Sequence, residues 1–146
     1  MSGDVRSATR MAEAIRAGEV SSKELVAEAL ERAETWQPVT NAFSQVFADE
    51  ASGEAALVDD RLARDPNSHD GPLLGVPVAI KELFDLRGME NSGCCAAYRG
   101  RISEADARMV TSLREAGAVI VGKTNQHELA AGATNLVSAC GATHNP

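Results

Sequence analysis

Two lysines in this sequence stand where an apolar run meets polar residues. Lys81 closes the run Val76-Pro77-Val78-Ala79-Ile80, and Lys123 follows Ala118-Val119-Ile120-Val121-Gly122. A lysine can exchange protons in catalysis only if its amine spends time neutral. At an ordinary value near 10.4, about one amine in a thousand is neutral at pH 7.4. Burial can lower that value by up to about 3–5 pH units, and the end of a buried strand is a place where this happens. The alternative for Lys81 is a packed stem with its ammonium in water. Spacing alone leaves both readings open.

The remaining chemistry-bearing residues form weaker patterns. Gly117 to Thr124 fits the phosphate-loop formula G-x-x-x-x-G-K-[ST] letter for letter. Its four middle residues, however, have the β-branched character of a strand, and a helix precedes the first glycine. A phosphate cradle needs the reverse order, so nucleotide binding is set aside. His127-Glu128 opens like a zinc-protease helix, but Ala131 stands where the second histidine is required. Cys94, Cys95 and Cys140 lack C-x-x-C spacing, and an odd count with two adjacent thiols does not read as a disulfide framework. They read as free thiols. His69, His127 and His144 read as loop or solvent-facing histidines.

The elements that must position these residues follow from periodicity. Ser7 to Ala17 places Ala8, Met11, Ala12 and Ile15 on one helical face, with Gly18 as a stop. Ser21 and Glu24 form a capping box for a second helix carrying Leu25, Val26, Ala29, Leu30 and Ala33, which should end before Pro38. Asn41 to Phe47 suits a short strand, and Asp49 to Arg64 a helix despite Gly53. A loop is expected over Asn67 to Gly75. Val76 to Ile80 then reads as a strand buried on both faces. Asp85 to Arg101 has no clear period. Ser103, with Asp106 three residues on, should start a helix striped by Met109, Val110, Leu113 and Ala116. Ala118 to Val121 is a second buried strand, Gln126 to Ala131 a short helix, and Gly132 to Pro146 a loop.

Strand, helix, strand with doubly apolar strands points to an α/β fold with a parallel or mixed sheet covered by helices. So small a sheet cannot cover such strands unaided, and further chain is expected to complete it. The composition fits a globular domain: 146 residues, 44% apolar and 24% charged, with only 3% aromatic, so the core must be Ala, Val, Leu and Ile. A net charge of −7 argues against nucleic acid as a partner. No apolar run approaches the ~20 residues of a membrane span, and no apolar segment follows Met1-Ser2-Gly3-Asp4 as a secretory signal requires. No membrane association is expected, and the cytoplasm is the expected compartment.

The segment Gly71-Pro72-Leu73-Leu74-Gly75-Val76-Pro77-Val78-Ala79-Ile80-Lys81-Glu82-Leu83-Phe84-Asp85 resembles the lysine-bearing motif of the amidase signature family. Leu113 to Asn125 resembles that family's helix–strand segment, and Gly141-Ala142-Thr143-His144-Asn145-Pro146 the run leading into its Gly/Ser-rich signature. The three stretches occur in the family's order and spacing.

The resemblance implies a piece of a single amidase domain over 1–146, mainly helical over 1–66, with the lysine strand, helix, second strand and loop over 71–146. It implies hydrolysis of amide C–N bonds, or transfer of the released ammonia, by a Ser–cis-Ser–Lys triad without metal or cofactor. Lys81 is then the general base and acid, acting through a bridging serine. Ala130, Ala131 and Gly132 lie beside the substrate's acyl group, and Lys123 is structural. Both serines fall in a stretch the family places after Asn145-Pro146, so the chain alone should be inactive towards its small-molecule amide. Glu90-Asn91-Ser92-Gly93-Cys94-Cys95, Val137 and Cys140 depart from the family pattern, and the place of Cys94 and Cys95 in the loop after the lysine strand raises either as a substitute nucleophile. Two alternatives stand beside the hydrolase: a non-catalytic module pairing with itself or a complementing polypeptide, and part of the amidase-like component of a glutamine-dependent amidotransferase.

Overall fold

The computed structural model describes residues 7–66, 68 and 71–146. His69 therefore lies outside the described residues. In chain order the elements are α1 (Ala8–Arg16), α2 (Ser22–Thr40), β1 (Phe43–Val46), α3 (Ala48–Arg64), β2 (Pro77–Lys81), α4 (Arg108–Glu115) and β3 (Val119–Thr124). Two single 3₁₀ turns, Ala96–Tyr98 and Glu128–Ala130, complete them.

The helix starts are built from local side chains. Ser7 Oγ accepts the Arg10 amide at 3.2 Å and caps α1. The capping box of α2 is formed, with Ser21 N–H donating to Glu24 Oε2 at 2.8 Å and Glu24 N–H to Ser21 Oγ at 3.1 Å. Asp59 of α3 adds a second cap, accepting the amides of Ser22 and Lys23. Contrary to expectation, α2 runs through Pro38 to Thr40. Proline removes one amide near the helix end, and two bonds beyond it hold the last turn: Thr40 Oγ1 donates to Trp36 O and Asn41 N–H to Gln37 O, both at 2.9 Å.

The three strands lie in the order β1-β3-β2, a small mixed sheet with helices. β1 is antiparallel to β3, pairing Phe43 with Thr124 and Val46 with Gly122 across an irregularity between Phe43 and Gln45. β2 runs alongside β3 in the same direction, tied by Val119 N–H to Val76 O at one end and Glu82 N–H to Thr124 O at the other. β3, the central strand, is buried from Val119 to Lys123. The expectation that β2 is equally buried fails: Ile80 is buried, but Ala79 and Lys81 are exposed. An edge strand has a neighbour on one side only, which leaves part of its surface uncovered.

The chain forms two compact units. The first (1–30, 47–78 and 113–121) holds a core of Val26 from α2, Ala51 and Ala55 from α3, and Val119 and Val121 from β3, with Leu30 against it. Ala51 and Ala55, one helical turn apart and wholly buried, let α3 approach closely. The second unit (31–46, 79–112 and 122–146) carries Lys81, Lys123, all three cysteines and the long loops.

Two expected elements differ in the second half. α4 begins at Arg108, five residues after Ser103, because the expected capping residues are engaged elsewhere. Ser103 Oγ donates to Asp85 Oδ1 at 2.8 Å, and Asp106 Oδ1 accepts the Arg87 amide at 2.7 Å. The expected helix over 126–131 is a single 3₁₀ turn, with Leu129 in the left-handed region.

Gly122 tests the β1–β3 packing. A Cβ there would stand 2.5 Å from Gln45 O, with the Phe43 ring next. Gly122→Ala should cost about 1–3 kcal/mol in urea unfolding. Gly53→Ala, in α3 with nothing within 4 Å of its Cβ, should instead stabilise by about 0.5–1 kcal/mol.

Candidate active site

Side chains alternate along a strand, so Lys81 and Glu82 at the end of β2 point to opposite sides. Lys81 is exposed. Glu82 points inward and is 1% exposed, beside Lys123 at 0%. Their charged atoms are 3.4 Å apart. Glu82 Oε2 also accepts Ser44 Oγ at 2.7 Å and Gln45 Nε2 at 3.3 Å, while Oε1 accepts the Ser92 amide at 3.1 Å. Lys123 Nζ donates to Glu90 O at 3.0 Å. Burial pushes the Lys123 amine down, and the Glu82 carboxylate opposes that shift. The buried lysine is thus Lys123. It is held inside the sheet as a structural ion pair, which also rules out a phosphate cradle around Gly122-Lys123-Thr124.

Asp85 organises the loop that leaves β2. Its carboxylate receives both guanidinium nitrogens of Arg101 at 2.8 and 3.2 Å, with Asn91 Nδ2 at 2.7 Å and Ser103 Oγ at 2.8 Å. The Arg101 hydrogen bond first, then Ser103 and Asn91, hold the carboxyl well below its ordinary range against the effect of burial. Leu83, Tyr98 and Leu129 join Asp85, Asn91 and Arg101 in lining an open cleft of about 290 Å³. A larger hollow of about 570 Å³ in the first unit is lined by residues such as Glu54, Arg61 and Arg114 and by none of the sequence-predicted site residues.

The stretch expected beside the substrate lies in the same unit as Lys81, on a strained turn. Leu129 and Ala130 have φ of +50° and +57°, a backbone that disfavours a side chain. Two hydrogen bonds at its start hold it: Leu129 N–H donates to Gly93 O at 2.9 Å and Glu128 N–H to Val137 O at 2.7 Å. Ala131 and Gly132 are exposed, and Ala130 is half-buried. The half-buried His127 ring lies so close to Gly132 that a Cβ there would overlap it. His144 is exposed.

The cysteines are free thiols. Cys94 is buried in a left-handed backbone, φ +55°, and its Sγ donates to Asn125 Oδ1 at 3.4 Å. A hydrogen bond to Glu128 raises the Cys95 thiol, and burial pushes Cys140 up to about 12. Neither of these shifts favours a nucleophilic thiolate. Among the described residues no cluster of three His, Cys, Asp or Glu is arranged to hold a metal ion, and no helix is long and apolar enough to cross a membrane.

Sequence reasoning missed the parts played by Glu82, Asp85 and Asn125. The available signal for Glu82 was its place one residue beyond Lys81 on an alternating strand. Asp85 and Asn125 gather partners across 16 and 84 residues of chain, which no local pattern reveals.

The chain is similar in fold to solved amidases. It superimposes on a solved amidase with a TM-score of 0.83 at 35% identity, over 92% of this chain and 30% of that one. It superimposes on the peptide amidase of Stenotrophomonas maltophilia with a TM-score of 0.82 at 30% identity, over 94% and 29%. In sequence it is 42% identical over 141 residues to the GatA-type component of the glutamyl-tRNA(Gln) amidotransferase of Acidothermus cellulolyticus, 97% of this chain and 28% of that one. The family profile described as Amidase matches residues 24–146, and the chain belongs to that amidase signature family. It spans under a third of the length of these relatives and carries only a fragment of their fold.

Breaking the buried pair from one side leaves an uncompensated charge. Lys123→Met should cost about 3–5 kcal/mol, and adding Glu82→Leu should recover most of that in a double-mutant cycle. The Asp85 carboxyl binds its proton less tightly folded than unfolded. Its contribution is therefore present above about pH 4 and lost as pH falls. Asp85→Asn should flatten the acid side of the stability profile, read by urea midpoints between neutral and acid pH.

Proposed function

We propose that this chain is part of an amide C–N hydrolase in which Lys81 is the general base and acid. The observation that carries this reading is Lys81's place in a family-matched segment, at a strand end anchored by the neighbouring buried Glu82. In the proposed mechanism the Lys81 amine takes a proton through a bridging serine from a nucleophilic serine. The nucleophile attacks the amide carbonyl, and Lys81 returns the proton to the leaving nitrogen. Both serines, and the amides that stabilise the oxyanion, come from the length of the relatives that this chain does not span. Ala130, Ala131 and Gly132 flank the acyl group, the turn before them held by the Leu129–Gly93 and Glu128–Val137 hydrogen bonds against the strain at Leu129 and Ala130.

On this reading residues 1–146 are part of one amidase domain working in the cytoplasm, with no metal or cofactor. The chain alone is inactive because a base without a nucleophile turns nothing over. A second reading is favoured by the curated relatives, which are components of glutamyl-tRNA(Gln) amidotransferases at 36–44% identity. There the same lysine would release ammonia from glutamine for transfer within a complex of several chains.

Ammonia release from simple aryl and aliphatic amides and from glutamine tests both readings. The 146-residue chain alone should release none. Co-expression with a polypeptide carrying the family's Gly/Ser-rich stretch should produce activity, and Lys81→Met should reduce kcat/KM by at least about 10²–10⁴-fold. Undiminished turnover in Lys81→Met overturns the assignment. Activity confined to glutamine in the presence of partner chains selects the amidotransferase reading.

A further inference from the structure

Cys94 and Cys140 come from loops 46 residues apart in sequence and meet at one point of the second unit. Ala139 N–H donates to Cys94 O at 2.8 Å, which lays the 138–140 segment against the Cys94 backbone. Asn125 Oδ1 bridges the two loops, accepting from Cys94 Sγ at 3.4 Å and from Ser138 Oγ at 2.8 Å. Ser138 Oγ in turn accepts the Cys140 amide at 3.1 Å. Burial first, and then the neighbouring Cys94, raises the Cys140 thiol. The adjacent Cys95 is engaged differently, with Glu128.

We propose that Cys94 and Cys140 are a redox pair that a hydroperoxide closes into a disulfide and a dithiol reopens. One thiol gives up its proton and its sulfur attacks the peroxide's terminal oxygen; the O–O bond breaks, and the departing alkoxide (or hydroxide, from hydrogen peroxide) takes up that proton and leaves as alcohol or water, with a sulfenic acid remaining. The second sulfur attacks that sulfenic sulfur, forming the S–S bond and expelling hydroxide, which leaves as water with the second thiol's proton. Two electrons pass from the thiols to the peroxide bond, and two exchanges with a dithiol return them. Burial raises the Cys140 thiol, which slows any step in which that sulfur is the attacking group.

The bond would lock the loops that hold the 128–130 turn, since Gly93 O accepts Leu129 N–H and Val137 O accepts Glu128 N–H. The pair is therefore a latch on that turn, whether or not the turn lies beside a substrate. The inference does not rest on the proposed amidase chemistry.

Hydrogen peroxide treatment of the folded 146-residue chain, followed by non-reducing peptide mapping, tests it. One Cys94–Cys140 cross-link is expected, with free thiols falling from three to one and recovering with dithiothreitol. The cross-link should persist in Cys95→Ser and vanish in Cys140→Ser. Hydrogen exchange at the Leu129 amide should slow on oxidation of the unsubstituted chain, a readout that needs no variant to fold. A link through Cys95, a link between two chains, or oxidation to sulfinic acid without any link overturns the proposal.

Discussion

The ion pair between Lys123 and Glu82 is the constraint around which the second unit is arranged. Removing two charges from water costs several kcal/mol for each ion, and Coulomb attraction repays this only when the remaining donors and acceptors are also satisfied. Here they are supplied from every side. Ser44 and Gln45 come from β1, Glu82 itself leaves β2, Lys123 sits in β3, and Glu90 and Ser92 come from the following loop. A slip of β1 or β2 by one residue would turn a partner to the wrong face and strand a charge. The pair is thus a register device as much as a source of stability. It also fixes Lys81 on the opposite side of its strand, because neighbouring residues cannot share a face.

The loop after β2 repeats the same logic at lower burial. Asp85 collects Arg101, Asn91 and Ser103, and Asp106 takes the Arg87 amide. Ser103 and Asp106 have the composition of a helix start, yet they serve these longer-range bonds and α4 begins later. A polar side chain that can cap a helix can equally close a loop. The choice falls to whichever set satisfies more buried groups.

Backbone strain gathers where these loops meet. Cys94, Leu129 and Ala130 all occupy the left-handed region without being glycine, and each such residue costs of order 1–3 kcal/mol unless its surroundings enforce it. The enforcing bonds run between Gly93 and Leu129, Glu128 and Val137, and Cys94 and Ala139. The turn, the adjacent loop and the meeting thiols therefore form one mechanically connected patch.

The amino-acid sequence by itself determined most of the elements, the capping of α2, the α/β class and the family. Periodicity, caps and a contiguous fifteen-residue motif are local properties, written in neighbouring residues. It did not determine which lysine is buried. Lys81 and Lys123 follow apolar runs of similar length, and locally the two are alike. Sheet order decided between them: β3 is central and covered, and β2 is an edge. The same non-local packing delivered Glu82 to Lys123 and Cys140 to Cys94, and moved the start of α4. Burial and charge pairing depend on what arrives from distant chain, so tertiary structure alone settled them.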